Sequence, residues 1–314
     1  MLDRAKMRAV SKAFQMVFIK TLQAGGVQTP SVQAAMTMLM EIPQTDWKGL
    51  YRWFLGLPIM RHWIGDRQAQ QLEADGFEVV HKPWEATLSV LRDDLMFDKL
   101  GGYRPAIANM ASERELLPYR QLLEVMKDMR AGTAFGNCFD GYPLISASHP
   151  TGTNLGTAAL THASLDDAIL AMRSQTDVTV GDSLLIEPTH LWYHQSLQAT
   201  VTAILDRRQM SIDGITSTSD VVVDNDHYKL LKPIALPLGS GKGAWWGLYS
   251  ERVGQDQPGP ILWQYLPGGD NFVALDSDTD IQNFMRRELL FGTEKWGAAA
   301  PGFPQFIWAS DGTT

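Results

Sequence analysis

Only one cysteine, Cys138, occurs in 314 residues, so an intramolecular disulfide and a cysteine metal cluster are both excluded. The reducing cytoplasm is the expected compartment of such a chain. Long apolar runs are missing too: no stretch approaches the ~18 residues of a membrane span. Positive charge is in deficit. Lys and Arg number 27 against 35 Asp and Glu, for a net charge of −8. That argues against a protein whose affinity comes from neutralising phosphates, while leaving room for a local basic patch. Internal repeats and low-complexity linkers are also absent, which excludes a repeat array.

The one glycine-rich turn with a lysine, LPLGSGKGAWW at 236–246, lacks what a phosphate cradle needs. A P-loop requires G-x-x-x-x-G-K-[ST]. The position five before Gly241 is Leu236, and Lys242 is followed by Gly243. The stretch reads instead as a turn entering an aromatic strand, with Lys242 in solvent.

What is present is ordinary globular composition, 45% hydrophobic and 20% charged, in a chain long enough to bury a sizeable core. Residues 3–23 pattern as an amphipathic helix. Val10, Phe14, Val17 and Phe18 share a face, and Gly25-Gly26 ends it. Gln15 and Lys20 interrupt the apolar stretch, so a docking helix is expected and not a signal peptide. A second short helix is expected over 31–41, stopped by Pro43. Trp84, Ala86, Leu88 and Val90 then alternate with Glu85, Thr87 and Ser89 as a strand. The longest helical pattern runs from 104 to 130, with Pro118 inside it predicting a kink or a break. A turn-rich stretch, 133–162, leads to a helix at 164–174 capped by Ser164, with Asp166 and Asp167 in its first turn. LLIEPTHLWY (184–193) reads as a strand before a helix at 195–206. From 219 onward the chain is β-rich, apart from DIQNFMRRELLFGTEKW, a helical or strongly charged strand segment.

Candidate chemistry is thin. Asp93, Asp94 and Asp98 lack a nearby histidine and read as a solvated strand end leading into a helix. Glu187, His190 and His194 have the composition of a zinc site, and a cytoplasmic metal hydrolase using them is the enzymatic alternative. The glutamate precedes the first histidine, however, and on a strand positions four apart stand ~13 Å apart, too far for one ion. Asp140, His149 and Ser146 or Ser148 lack a G-x-S-x-G elbow. Cys138, beside Phe139, reads as a buried small apolar residue. No enzyme, cofactor or metal is expected.

The tryptophans are more informative. Four of the ten, Trp47, Trp53, Trp63 and Trp84, lie in a stretch without helical periodicity, interleaved with Arg52, Arg61, His62, Arg67 and Lys82. Aromatics with arginine are what the centres of protein interfaces enrich. Single-stranded nucleic acid uses the same mixture, but the acidic whole and the apolar GLPIM segment favour protein contact.

That stretch resembles the Mu-like tailed-phage major head subunits. The matching motifs are Trp53 to Pro58, His62 to Arg67, Leu72 to Phe77, and Arg92 to Pro105. Phe54 is an insertion, and 99–102 matches less cleanly. CFDGYPLISASHP (138–150) is a looser match, one residue short before His-Pro. LLIEPTHLWYHQSLQATVTAIL (184–205) and AWWGLYS (244–250) support it in the right order.

The resemblance implies an α+β fold of the Hong Kong 97 capsid type. It makes residues 1–45 an N-terminal arm and 46–95 an extended loop over the adjacent subunit. Residues 96–160 become a peripheral domain with the spine helix, 161–240 an axial domain, and 241–314 a return to the peripheral sheet with closing strands. Trp53, Pro58, Trp63, Arg67, Phe77 and Trp84 are then the expected subunit-interface residues. The function implied is that of a major capsid protein, assembling as pentamers and hexamers into an icosahedral phage head. Its implied partners are a scaffold protein, a portal and weakly held double-stranded DNA, without a membrane. Its place is the virion, after assembly in the host cytoplasm. An encapsulin-like nanocompartment shell shares this fold and is the alternative.

Overall fold

The computed structural model describes residues 4–25, 29–51, 77–96, 99–176, 181–211, 222–251, 258–268, 272–277 and 280–313. Helix α1 (Arg4–Gln23) forms as expected and docks on its own chain. Phe14 and Phe18, one turn apart, are both 1% exposed. α2 (Pro30–Met36) is capped by Thr29, whose hydroxyl accepts from the Val32 amide, with Pro30 in its first turn. The second half of the expected 31–41 helix is instead strand β1 (Leu39–Pro43). It lies at a sheet edge, where Pro43 costs no ladder bond.

β2 (Lys48–Tyr51) and β3 (Phe77–Val80) pair as an antiparallel stem. β4 (Lys82–Leu91) follows with the expected alternation, its odd-numbered residues exposed and its even ones from Trp84 to Val90 turned inward. α3 (Arg92–Met96) places Asp93 and Asp94 in its first turn. α4 (Arg104–Asp128) runs unbroken through Pro118, so the expected division does not occur. Pro118 has no N–H for the Arg114 carbonyl. The ammonium of Lys295 lies 3.5 Å from that oxygen and donates to it from the neighbouring sheet.

β5 (Leu155–Gly156) precedes α5 (His162–Arg173), which starts earlier than its sequence pattern suggested. Its cap is Thr161, and Ser164 is the third helical residue of a reciprocal capping box. Asp166 and Asp167 therefore fall beyond the first turn. β6 (His190–His194) begins six residues later than expected. Leu185 takes a positive φ of 52°, and Pro188 lacks a donor, so the backbone before His190 cannot form a ladder. α6 (Gln198–Leu205), β7 (Gln209–Ser211), β8 (Val222–Asp224), β9 (Lys232–Leu236), β10 (Trp246–Tyr249), β11 (Ile261–Tyr265), β12 (Phe272–Leu275), α7 (Ile281–Arg286), β13 (Glu288–Pro301) and β14 (Ile307–Ser310) complete the order.

Two five-stranded sheets organise these elements. In the first, the 14-residue β13 is shared. β4 pairs along one edge from Glu288 to Gly297. β12 covers Leu290–Thr293 and β11 covers Gly297–Pro301. At Thr293 and at Gly297 these strands oppose β4, so β11 and β12 follow one another along the other edge. β1 adds in parallel outside β11. The second sheet has the order β5-β14-β10-β6-β9.

Among the described residues, three apolar clusters form the core. One joins α5 and α6 to the second sheet, a second gathers α2, the C-terminal half of α4 and parts of both sheets, and a third packs α1 and the N-terminal half of α4 on β4, β12 and β13. Within the third, Phe14 meets Phe291 edge-on at 5.2 Å between ring centres and Phe18 meets Phe272 at 5.0 Å.

Candidate assembly surface

The stem β2–β3 is built so that one face can be buried and one left free. Gly49, Tyr51 and Val79 turn inward, and Lys48, Leu50, Glu78 and Val80 outward. Gly49 is required: a Cβ there would fall 2.1 Å from the Gln264 side chain. Tyr51 donates its hydroxyl to Gln264 Oε1 at 2.7 Å, and Gln264 Nε2 donates to the Val79 carbonyl at 3.3 Å. Burial pushes the Tyr51 phenol up to about 12. Trp47 leans edge-on against Trp296 at 5.5 Å while remaining 56% exposed. At the root His81 Nε2 donates to the Gln44 carbonyl at 3.1 Å. Burial holds the His81 pKa below the usual imidazole value, against that hydrogen bond. The stem is thus tied to the first sheet from both strands, with an apolar outer face of Trp47, Leu50 and Val80.

Of the expected interface residues, Trp53, Pro58, Trp63 and Arg67 lie outside the described residues, as does Asp98. Phe77 is half-buried, paired with Tyr51 at the end of the stem. Trp84 is half-buried in β4 and donates Nε1–H to the Gly297 carbonyl at 3.1 Å. Its ring is engaged by its own sheet. The stem's outer face, the missed part of the surface, showed only a short alternation in WKGLY and FEVV, too brief to read as paired strands.

The enzymatic candidates are each otherwise engaged. Glu187 pairs with Arg173 at 2.9 Å. His190 stacks on Tyr249 at 4.6 Å and shares a hydrogen bond with Thr189 Oγ1 at 2.8 Å. Burial holds its pKa low, against nearby Glu251 and with nearby Lys232. His194 Nδ1 accepts from the Ser196 amide at 3.2 Å as a cap. Among the described residues no group of three or more His, Cys, Asp or Glu could hold a metal. His149 and Asp140 do come together, at 2.6 Å and both buried, but the other ring nitrogen faces the Leu144 carbonyl at 3.3 Å. No ring nitrogen is left to take a proton from Ser146 or Ser148. The pair braces a turn. Cys138 is buried, and burial next to Asp140 raises its thiol pKa well above the ordinary value, which makes it inert.

The turn at 236–246 is explained by packing. Lys242 sits over the Trp245 ring at 4.0 Å, and is not simply in solvent. Trp246 is fully buried and donates to the Ala158 carbonyl at 2.9 Å. Gly247 lies where a Cβ would meet the Trp308 carbonyl at 2.1 Å and the Trp192 ring at 2.6 Å. A further anchor had no sequence signal. Asp128, last residue of α4, accepts from the amides of Thr133, Ala134 and Phe135 at 3.1, 2.8 and 3.0 Å and from the Thr133 hydroxyl at 2.8 Å. Burial pushes its pKa up, but those hydrogen bonds outweigh it and hold the carboxyl below its ordinary value.

Helices on a shared long strand, a second sheet and a two-stranded stem with an apolar outer face make up the fold, and among the described residues no reactive centre is assembled. The chain belongs to the phage capsid protein family, whose model matches residues 86–301. Residues 7–160 match the model of the Mu-like prophage major head subunit gpT. The chain is 28% identical to the major capsid protein of Escherichia phage Mu over 49% of its own length and 48% of that protein's. It is 24% identical to the Mu-like prophage FluMu major head subunit of Haemophilus influenzae, over 67% of this chain and 62% of that one. These matches thus span about half to three-fifths of the curated relatives. The bacteriophage JBD30 procapsid shares the fold at a TM-score of 0.55 and 20% identity, covering 96% of this chain and 75% of that one. The encapsulin of Synechococcus elongatus does so at 0.51 and 13%, covering 90% and 88%. The fold is the Hong Kong 97-type capsid fold.

Proposed function

We propose that this chain is the major capsid subunit of a tailed-phage or prophage head, assembling as pentamers and hexamers into an icosahedral shell around double-stranded DNA. The observation that carries the reading is the stem. Two strands anchored to the first sheet open, between Tyr51 and Phe77, onto the aromatic and arginine-rich segment 52–76. A segment of that composition is suited to a neighbouring subunit. On this reading 1–45 is the arm, 46–95 the extended loop, 96–160 the peripheral domain, 161–240 the axial domain, and 241–314 the return. Trp53, Pro58, Trp63 and Arg67 make the contact, while Phe77 and Trp84 brace its root. A scaffold protein and a portal assist, assembly takes place in the host cytoplasm, and the mature protein resides in the virion. A net charge of −8 suits a wall that must not grip packaged DNA.

The test is to replace 53–75 with a short turn and to compare melting and particle yield with the unaltered chain. Burying one large aromatic gives about 2–3 kcal/mol, too little alone against the entropy of association. Repeated around a closed shell, such terms combine steeply. The deletion should melt as the parent does and yield no particles by electron microscopy. Trp63→Ala should lower particle yield far more than the melting temperature. Normal shells from the deletion would refute the reading. Shells that fill with protein cargo in place of DNA would move it to a nanocompartment.

A further inference from the structure

Beside the second sheet, two histidines join α5 to the turn that follows β8. His162 is the first residue of α5, and its ring centre lies 5.5 Å from that of His227. His227 Nε2 donates to Asp166 Oδ1 at 2.9 Å. His162 Nε2 is buried without a hydrogen-bond partner. β7 and β8 pair antiparallel, Gln209 opposite Asp224, and His227 belongs to the turn 225–230 that directly follows β8 at the root of this hairpin.

That turn is fastened twice. Towards α6 the fastening is amide chemistry: Asn225 Nδ2 donates to the carbonyls of Ile204 and Arg207 at 2.6 and 2.7 Å, and the Lys229 amide donates to Leu205 at 2.9 Å. Towards α5 it is the imidazole pair. The charged residues on the elements that meet here are Asp166 and Asp167 in α5, Asp226 and Lys229 in the turn, and Asp206, Arg207 and Arg208 just after α6. Asp166 is the carboxylate bonded to a ring, and its side chain is 69% exposed.

We infer that the His162–His227 contact is an acid-sensitive latch holding the root of the β7–β8 hairpin against α5. A proton taken up by His162 finds no acceptor at Nε2 and sits at the positive end of the α5 dipole, packed against the His227 ring. Releasing the turn from α5 lets that imidazolium reach water, while the amide bonds to α6 are indifferent to acid. Burial, then His227, holds the His162 pKa low, with Asp166 acting in the opposite sense. The latch is a property of the single subunit and does not depend on shell formation.

Amide hydrogen exchange on the full chain tests it, at about pH 7.5 and about pH 5.5, corrected for the intrinsic effect of pH. Protection of the Tyr228 and Leu230 amides, which bond within the turn, should fall about tenfold more than that of the β10 amides on acidification. His162→Gln removes the unpartnered ring, and His227→Gln removes the ring beside it while keeping a donor for Asp166. His162→Gln should hold the turn's loss close to that of β10, and His227→Gln should reduce it in part. Each variant is melted at the higher pH first, and the second carries the test if the first does not fold. An unchanged acid response in a folded variant, or none in the parent, would overturn the latch.

Discussion

Phe14→Ala asks whether α1 is part of the folded subunit or an arm merely resting on it. Phe14 is 1% exposed and meets Phe291, itself fully buried, edge-on at 5.2 Å. Truncating such a ring removes its transfer free energy and leaves a cavity, together about 3–5 kcal/mol. Total stability is on the order of 5–15 kcal/mol, so the loss is a large fraction. At about 2 °C per kcal/mol for a chain of this size, the midpoint should drop by about 6–10 °C. α1 has a second anchor in Phe18, 5.0 Å from Phe272. If the first truncation exceeds what docking supplies, the helix detaches as a unit. Phe18→Ala should then add little to Phe14→Ala, and a protease should cleave α1 in the folded protein. Met16→Ala, at a position 57% exposed, serves as the control and should stay within about 0.5 kcal/mol. Calorimetry and limited proteolysis on the four proteins read both quantities. A Phe14→Ala midpoint within a degree of the parent, with no new cleavage, would refute the docking described for this helix.

Pro118→Ala restores a donor for the Arg114 carbonyl in place of the 3.5 Å contact from Lys295. It should raise stability by about 1 kcal/mol in denaturant titration, and a loss would show that the buried ring's packing matters more. Asp128→Asn weakens four accepted hydrogen bonds and should cost about 1–3 kcal/mol. Because the folded-state pKa of Asp128 is depressed, its contribution stands above the unfolded value and is lost as pH falls through the folded one. His81, His162 and His190 all have lowered pKa values, with burial as the largest cause. Between their unfolded value near 6.5 and their lower folded values the unfolded chain binds more protons. Urea midpoints should therefore fall as pH drops below about 6.5, before carboxylates titrate, and flat midpoints down to pH 5 would contradict the burial of these rings.

Much of this was legible in the sequence wherever one periodicity ran long enough. The stripe from Ile107 to Met126 and the alternation from Trp84 to Val90 gave α4 and β4 within a residue or two. Failures came where a distant partner decided. Leu39–Pro43 looked like the tail of a helix until β11 supplied its ladder. The stretch before His190 looked like a strand, but Leu185 and Pro188 forbid one. Pro118 would have broken an isolated helix, yet α4 is held by sheet contacts and a borrowed lysine. As for the surface, composition pointed to 46–95, of which 52–76 lies outside the described residues. It could not distinguish a ring such as Trp84, bonded to Gly297, from one left for a neighbour. Backbone-accepting side chains such as Asp128 carry no linear signature, because their donors belong to a loop whose path is set later.

β13 ends at Pro301 and β14 begins at Ile307, with every residue from Gly302 to Phe306 buried. The first sheet's longest strand therefore feeds the second sheet through five residues packed on all sides. Gly302 donates to Pro260 at 2.8 Å and Phe303 to Gly259 at 3.1 Å, so the crossing is clamped to the start of β11 as well. There is no slack here for a hinge. A load applied to the second sheet reaches the far tip of β13 as through a rod, and if the chain assembles as proposed, a change of curvature in the wall is taken up elsewhere in the subunit.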